Sequence, residues 1–368
     1  MPARPSAALA AALVAALGCR EAPADAAASL PTADTLRVGT FTAPGARLLW
    51  TFEAGEPVYA RPAVADSSVV IGDYSGTVSS LDRLTGREHW RFETAAAIEG
   101  APVLDGGVAI VGGSAGRVFA IDRLSGQERW QVVTGGGVFG RPATVPGAVV
   151  VGSNDGVLHA LATETGAELW TYRAGGGIES VAAGAGGSIF FGGKDGYLYA
   201  LGAPAREEAW KFKGESPFVA RPLVDGGIVF VAELDGRIHA LRAESGEEVW
   251  VHDAGGSVKF DLALGEELLF AVVAEREILA LDAHGGRLRW RREHEPGLGA
   301  PAVAGGLLLV GSSDGALYAL APATGQPRWI FRAEGELFGA PSAEGDALYV
   351  GTLAGKVHAL ELAPPAGP

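Results

Sequence analysis

The chain has 368 residues, 48% hydrophobic and 20% charged, with a formal charge of −14, which suits a globular protein and excludes the basic footprint of a nucleic-acid or other polyanion binder. A single cysteine, Cys19, excludes an intrachain disulfide and a metal site built on several thiolates. Fifty-five glycines among short apolar runs predict many tight turns between short strands.

Residues 1–18 carry one early basic residue, Arg4, and then PSAALAAALVAALG (5–18), an apolar stretch of signal-peptide length and too short to span a bilayer comfortably. It ends in ALGC (16–19), which resembles the lipobox of bacterial lipoproteins, with Ala16 where leucine is commonest. That resemblance implies cleavage before Cys19 and lipidation of its thiol. Arg20, rather than an aspartate, implies retention at the outer membrane of a Gram-negative cell, facing the periplasm. The alternative is a plain signal peptide with an incidental cysteine. Residues 19–46 are rich in Ala, Pro and small polar residues without sustained periodicity and read as a flexible tether. No later apolar run is long enough to span a membrane.

From residue 47 a repeat begins. The tryptophans are Trp50, Trp90, Trp130, Trp170, Trp210, Trp250, Trp290 and Trp329, spaced by 40 six times and then by 39. A period near 40 made of strands alone means a propeller or a β-solenoid. One unit, 61–93, divides into RPAVAD, SSVVIGD, TVSSLD and REHWRFE, four strands in the length of one propeller blade. The middle turn recurs as YSG, SAG, NDG, KDG, LDG, SDG and LAG, where glycine supplies the positive φ of a hairpin. In the sixth unit AERE (274–277) stands instead, which predicts an irregular turn. The eighth unit ends at KVHALELAP without a tryptophan, while RLLWTFE (47–53) precedes the first unit without a set of its own. Pairing them closes the ring and removes two sheet edges. The expected fold is an all-β, eight-bladed β-propeller of four-stranded blades over 47–362, followed by a disordered tail, 363–368.

The segments before the tryptophans, such as SLDRLTGREHW (80–90), AIDRLSGQERW (120–130) and ALATETGAELW (160–170), are similar to the tryptophan-docking motif of PQQ-like propellers, Ala-x-Asp-x-x-Thr-Gly-x-x-x-Trp. ALGAPAREEAW (200–210) has lost the Thr-Gly. The chain thus resembles the PQQ-like superfamily and, with its lipobox and minimal blades, the BamB lipoproteins of the outer-membrane β-barrel assembly machinery. The resemblance implies a non-catalytic scaffold with protein partners, anchored by lipid and using no cofactor. Quinoprotein dehydrogenases of the superfamily use long insertions, an adjacent cysteine pair and calcium ligands, and the chain has no such pair. A ligand-binding or sensing propeller, or a degenerate quinoprotein, remain as alternatives.

The tryptophans read as blade-to-blade packing. His159, His239 and His358 share one position in the third strand with Phe119, Tyr199 and Tyr318, which reads as a packing slot and not a metal site. The candidate binding residues lie where each inner strand begins. The position before the proline, whose place Leu262 takes in the sixth blade, holds Arg61, Arg141, Arg221 and Asp261, and two residues earlier stand Glu99, Glu179 and Lys259, with Leu298 and Phe338 in the last two blades. Residues two apart point the same way, so these side chains are expected at the channel mouth. Their alternating signs predict a self-neutralising ring, or else a polar mouth for an anionic group or an extended peptide.

Overall fold

The computed structural model describes residues 28–29, 45–184, 187–202, 207–295 and 297–362. The lipobox cysteine, Cys19, and the tail 363–368 lie outside the described residues.

Within a repeat unit, burial explains the residue types. In blade 1 the strands Ala63–Ala65, Ser68–Gly72, Thr77–Asp82 and Glu88–Glu93 follow one another from the axis outward. The second, SVVIG, is buried at every position, because a neighbouring blade covers each face. It therefore reads as a continuous apolar run and not as an alternation. The outermost strand meets a neighbour on one side only. In Glu128–Val133 of blade 2, Trp130 is buried while Glu128, Arg129 and Gln131 are exposed.

The turn after the second strand uses glycine as expected. Gly76, at φ 94°, donates its amide to the Asp73 carbonyl at 3.2 Å, and the Asp73 carboxylate accepts from the Ser75 and Thr77 amides at 2.9 Å each. The sixth blade departs from this pattern. Arg276 donates to the Val273 carbonyl at 3.0 Å, with Ala274 at φ 48° and Glu275 at φ 58°. This is a tighter turn with two non-glycine residues in the left-handed region, each costing roughly 1–2 kcal/mol.

Eight four-stranded antiparallel blades result, one per unit, and the sheet of blade 6 carries a short fifth strand. Blade 8 joins 342–344, 347–351 and 356–362 to the chain's strand Ala46–Glu53, in a register running from Ala46 opposite Leu362 to Glu53 opposite Lys356. Thr51 Oγ1 meets His358 Nδ1 at 2.9 Å across that seam. The molecule is the eight-bladed β-propeller expected. Within the segment read as a tether, Ala28–Ser29 lies parallel to the outer strand of blade 6.

The core consists of wedges between blades. Val70, Val78 and Trp90 of blade 1 pack with Ala109, Val111, Phe119 and Ile121 of blade 2. Trp50, Trp90, Trp130, Trp210, Trp250 and Trp290 each donate the indole N–H to a carbonyl of the next blade, as Trp50 does to Arg83 at 3.0 Å, Trp90 to Arg123 at 2.8 Å and Trp250 to Ala283 at 2.9 Å. The turn glycine of that next blade lies against the ring. A Cβ on Gly86 would stand 2.6 Å from Trp50, and one on Gly126 2.6 Å from Trp90. At the seam Gly45 takes this place, where a Cβ would stand 2.8 Å from Trp329.

Candidate functional site

The segment leading into each inner strand builds the channel in a repeating order. Val58, Ile98, Val138, Ile178, Phe218, Val258, Leu298 and Leu337 are buried between blades and fix the segment. The next residue faces the mouth, and the one after that is small in most blades because the neighbouring lead-in segment passes close. A Cβ on Gly100 would stand 2.6 Å from the Gly140 carbonyl oxygen, and one on Gly140 would overlap the Glu179 carbonyl. The residue before the proline then points into the channel one step deeper.

This order corrects two expectations. Leu298 does not line the channel. It is buried in the wedge between blades 6 and 7, in the column of Val58 and Leu337. The lead-in of blade 7 is one residue short between Leu298 and Pro301, where the strand pairing shifts register, and this accounts for the single 39-residue tryptophan spacing. The alternating charges also do not form one ring. Glu99, Glu179 and Lys259 stand at the mouth, and Arg61, Arg141, Arg221 and Asp261, more fully enclosed by protein than Glu99, one step below. Glu179 pairs with Lys194 at 2.5 Å and Lys259 with Glu275 at 2.9 Å, both reaching to turns on the rim. Among the described residues no ion pair joins a mouth carboxylate to one of the three arginines. Two residues along a lead-in segment means two depths, so signs that alternate around the ring do not meet.

The channel encloses about 520 Å³. Tyr59, Phe139 and Phe338 share its mouth with the carboxylates, and Leu223, Leu264 and Val303 border it. Arg61 Nε donates to Ser342 Oγ at 2.8 Å, and Arg221 Nε to the Val181 carbonyl at 2.9 Å. Arg141 Nε is buried without a partner. Asp261 accepts the backbone N–H of Arg221 at 2.8 Å and, among the described residues, takes no hydrogen bond from a guanidinium.

Arg61 and Asp261 are open to water within the channel, yet the ring of protein around them replaces most of the bulk solvent. This burial pulls all three arginines below their ordinary pKa. Arg141 falls to about 10, first through burial and then through repulsion by Arg221 and Arg61. Asp261 is pushed up by burial, against the pull of the Arg221 amide and the three guanidinium groups. Glu99 is pushed up by burial and then by Glu179.

Ser342 was not singled out from the sequence. Its signal was available, since it is the polar residue in a column otherwise filled by Ala63, Val103, Ala143, Leu223 and Ala263. His159, His239 and His358 sit in their strands with Nδ1 2.9 Å from Glu168, Glu248 and Thr51 respectively, each a cross-strand contact. Among the described residues no group of three or more His, Cys, Asp or Glu side chains is arranged to hold a metal ion.

Solved structures with this fold include BamB from Moraxella catarrhalis, 20% identical, with a TM-score of 0.76 over 86% of this chain and 99% of that one. The computationally designed Ika8 protein matches at 19% identity and a TM-score of 0.75, over 84% of this chain and 97% of its own. A quinohemoprotein alcohol dehydrogenase, ADHIIG from Pseudomonas putida HK5, matches at 16% identity and 0.73, over 88% and 77%. At these identities the likeness is one of fold. No curated protein matches the chain. The profile of one family matches residues 34–174, 114–191, 154–262 and 234–364, which together run through the whole propeller. The chain belongs to the family described as outer membrane protein assembly factor BamB.

Proposed function

We propose that the chain is a non-catalytic interaction scaffold that assists assembly of β-barrel proteins in the outer membrane, exported and held there by lipid at Cys19. The observation that carries this reading is the family match along the whole ring. The short connections between blades, such as 94–102, support it by leaving both faces of the ring open to partners. Leu84 is 74% exposed and Leu124 93%, at the same turn of neighbouring blades, and supply apolar contacts that a docked protein would cover.

The channel's donors also speak for a scaffold over a quinoprotein. A calcium ion beside Asp261 would face Arg61, Arg141 and Arg221, and the chain has only Cys19 where those enzymes use a cysteine pair. The residues present do not fit that cofactor set.

The test is crosslinking in intact envelopes followed by purification of the full chain. Recovery of the central subunit of the barrel-assembly machinery is expected, reduced by Leu84→Asp with Leu124→Asp in a protein that still folds. Repeated absence of that subunit would overturn the scaffold reading. A Cys19→Ser chain that still partitions with membranes would overturn the lipid anchor.

A further inference from the structure

Three guanidinium groups face one another across the channel without a carboxylate partner of their own. Arg61 and Arg221 each use Nε on a neutral oxygen, and among the described residues Arg141 Nε has no partner and the Nη atoms of all three make no hydrogen bond. Unpaired charges enclosed by protein are costly to keep and are retained where a ligand compensates them. The carboxylates at the mouth do not compensate them, because Glu179 is held by Lys194 and, among the described residues, Glu99 forms no ion pair with any of the three.

We propose that the channel at the level of Arg61, Arg141 and Arg221 binds a small dianion of the phosphate or dicarboxylate class. Planar guanidinium forks match the oxygens of both groups, and such charge-assisted bonds are the strong ones. The three arginines with Asp261 leave two net positive charges, which a dianion balances. Asp261 is fixed by the Arg221 amide and sets that balance. The volume of about 520 Å³ admits a small molecule, within the roughly 300–1,000 Å³ usual for ligand pockets. Leu223, Leu264 and Val303 offer an apolar wall to its carbon skeleton, if it has one. The mutual repulsion that lowers Arg141 is relieved when an anion sits among the three. The site stands independently of docking on an assembly partner.

The experiment is calorimetric titration of the full chain at pH 7 in low-chloride buffer, with inorganic phosphate in one arm and succinate in the other. Saturable one-to-one binding of at least one probe is expected, and whichever arm binds more tightly defines the class. Arg141→Gln should weaken that binding about tenfold or more, and Asp261→Asn should strengthen it several-fold. A purely structural arginine predicts the reverse of a second readout. Here Arg141→Gln should melt at a higher temperature than the parent chain in anion-free buffer and lose the upward shift that the bound probe gives the parent. The proposal is overturned if neither probe saturates, if folded Arg141→Gln binds as the parent does, or if Arg141→Gln melts lower in anion-free buffer.

Discussion

The indole N–H of Trp130 donates to the carbonyl of Thr163 at 2.8 Å, across the boundary between blades 2 and 3. The same contact joins Trp50 to Arg83, Trp90 to Arg123, Trp210 to Ala243 and Trp250 to Ala283, always 33 residues on. For Trp290 and Pro322 the separation is 32, as the missing residue in the lead-in of blade 7 requires. Docking is thus a property of the repeat, and each blade is held by the next.

Trp130→Phe keeps most of the apolar contact and removes the donor, so it should cost about 1–3 kcal/mol. Gly166→Ala should cost a similar 1–3 kcal/mol, roughly, because Gly166 is at φ 69° and an added Cβ would stand 2.6 Å from the Trp130 ring. Urea denaturation with both variants checks this. Unchanged midpoints would mean that the docking contact contributes nothing.

Gly140 is where two lead-in segments cross. Its Cβ would overlap the Glu179 carbonyl and lie 3.1 Å from Ser180 Cα, both backbone and unable to swing away. Gly140→Ala should destabilise by about 1–3 kcal/mol, whereas Gly107→Ala, with open space around it, should stay within about 0.5 kcal/mol. Thermal melts of the two variants separate the cases.

The seam makes a third prediction. Without strand Ala46–Glu53 the strand 356–362 becomes an open edge with unpaired N–H and C=O groups. A chain lacking residues 1–53 should associate with rising concentration in light scattering, while one lacking only 1–44 keeps all four strands of blade 8 and should stay dispersed. Equal behaviour of the two would count against closure by this strand.

Acid sensitivity follows from buried imidazoles. Burial lowers His252, His294 and His358 below the ordinary 6.5. The unfolded chain then takes up their protons first, so their contribution to stability is complete above pH 6.5 and is lost as pH falls from there through the folded-state values. Glu99 and Asp261, pushed up by burial, act in the opposite direction and gain stability on protonation. Comparison of the parent with His294→Gln isolates the imidazole term, since His294 packs on Tyr318 at 4.7 Å and meets Ser312 Oγ at 3.3 Å. The parent's urea midpoint should fall more between pH 7.5 and pH 5.5 than the variant's. Parallel curves would refute the assignment.

Much of this molecule was legible in the chain because a repeat multiplies weak signals. One strand such as Ser68–Gly72 is ambiguous alone, but eight tryptophans on a fixed period leave few architectures, and the surplus strand at 47–53 forces closure. The sequence by itself thus determined the fold, the number of blades and the seam. Depth decided the rest. Arg61 and Glu99 occupy neighbouring columns of the repeat, and only the tertiary structure shows that they lie at different levels, with Glu179 drawn to Lys194 and the arginines left to one another. Leu298 likewise turned from channel to core through one missing residue that periodicity alone could not place. Period fixes the order around a ring, whereas charge pairing depends on distances of a few ångströms along its axis, and those are set by how neighbouring lead-in segments pack.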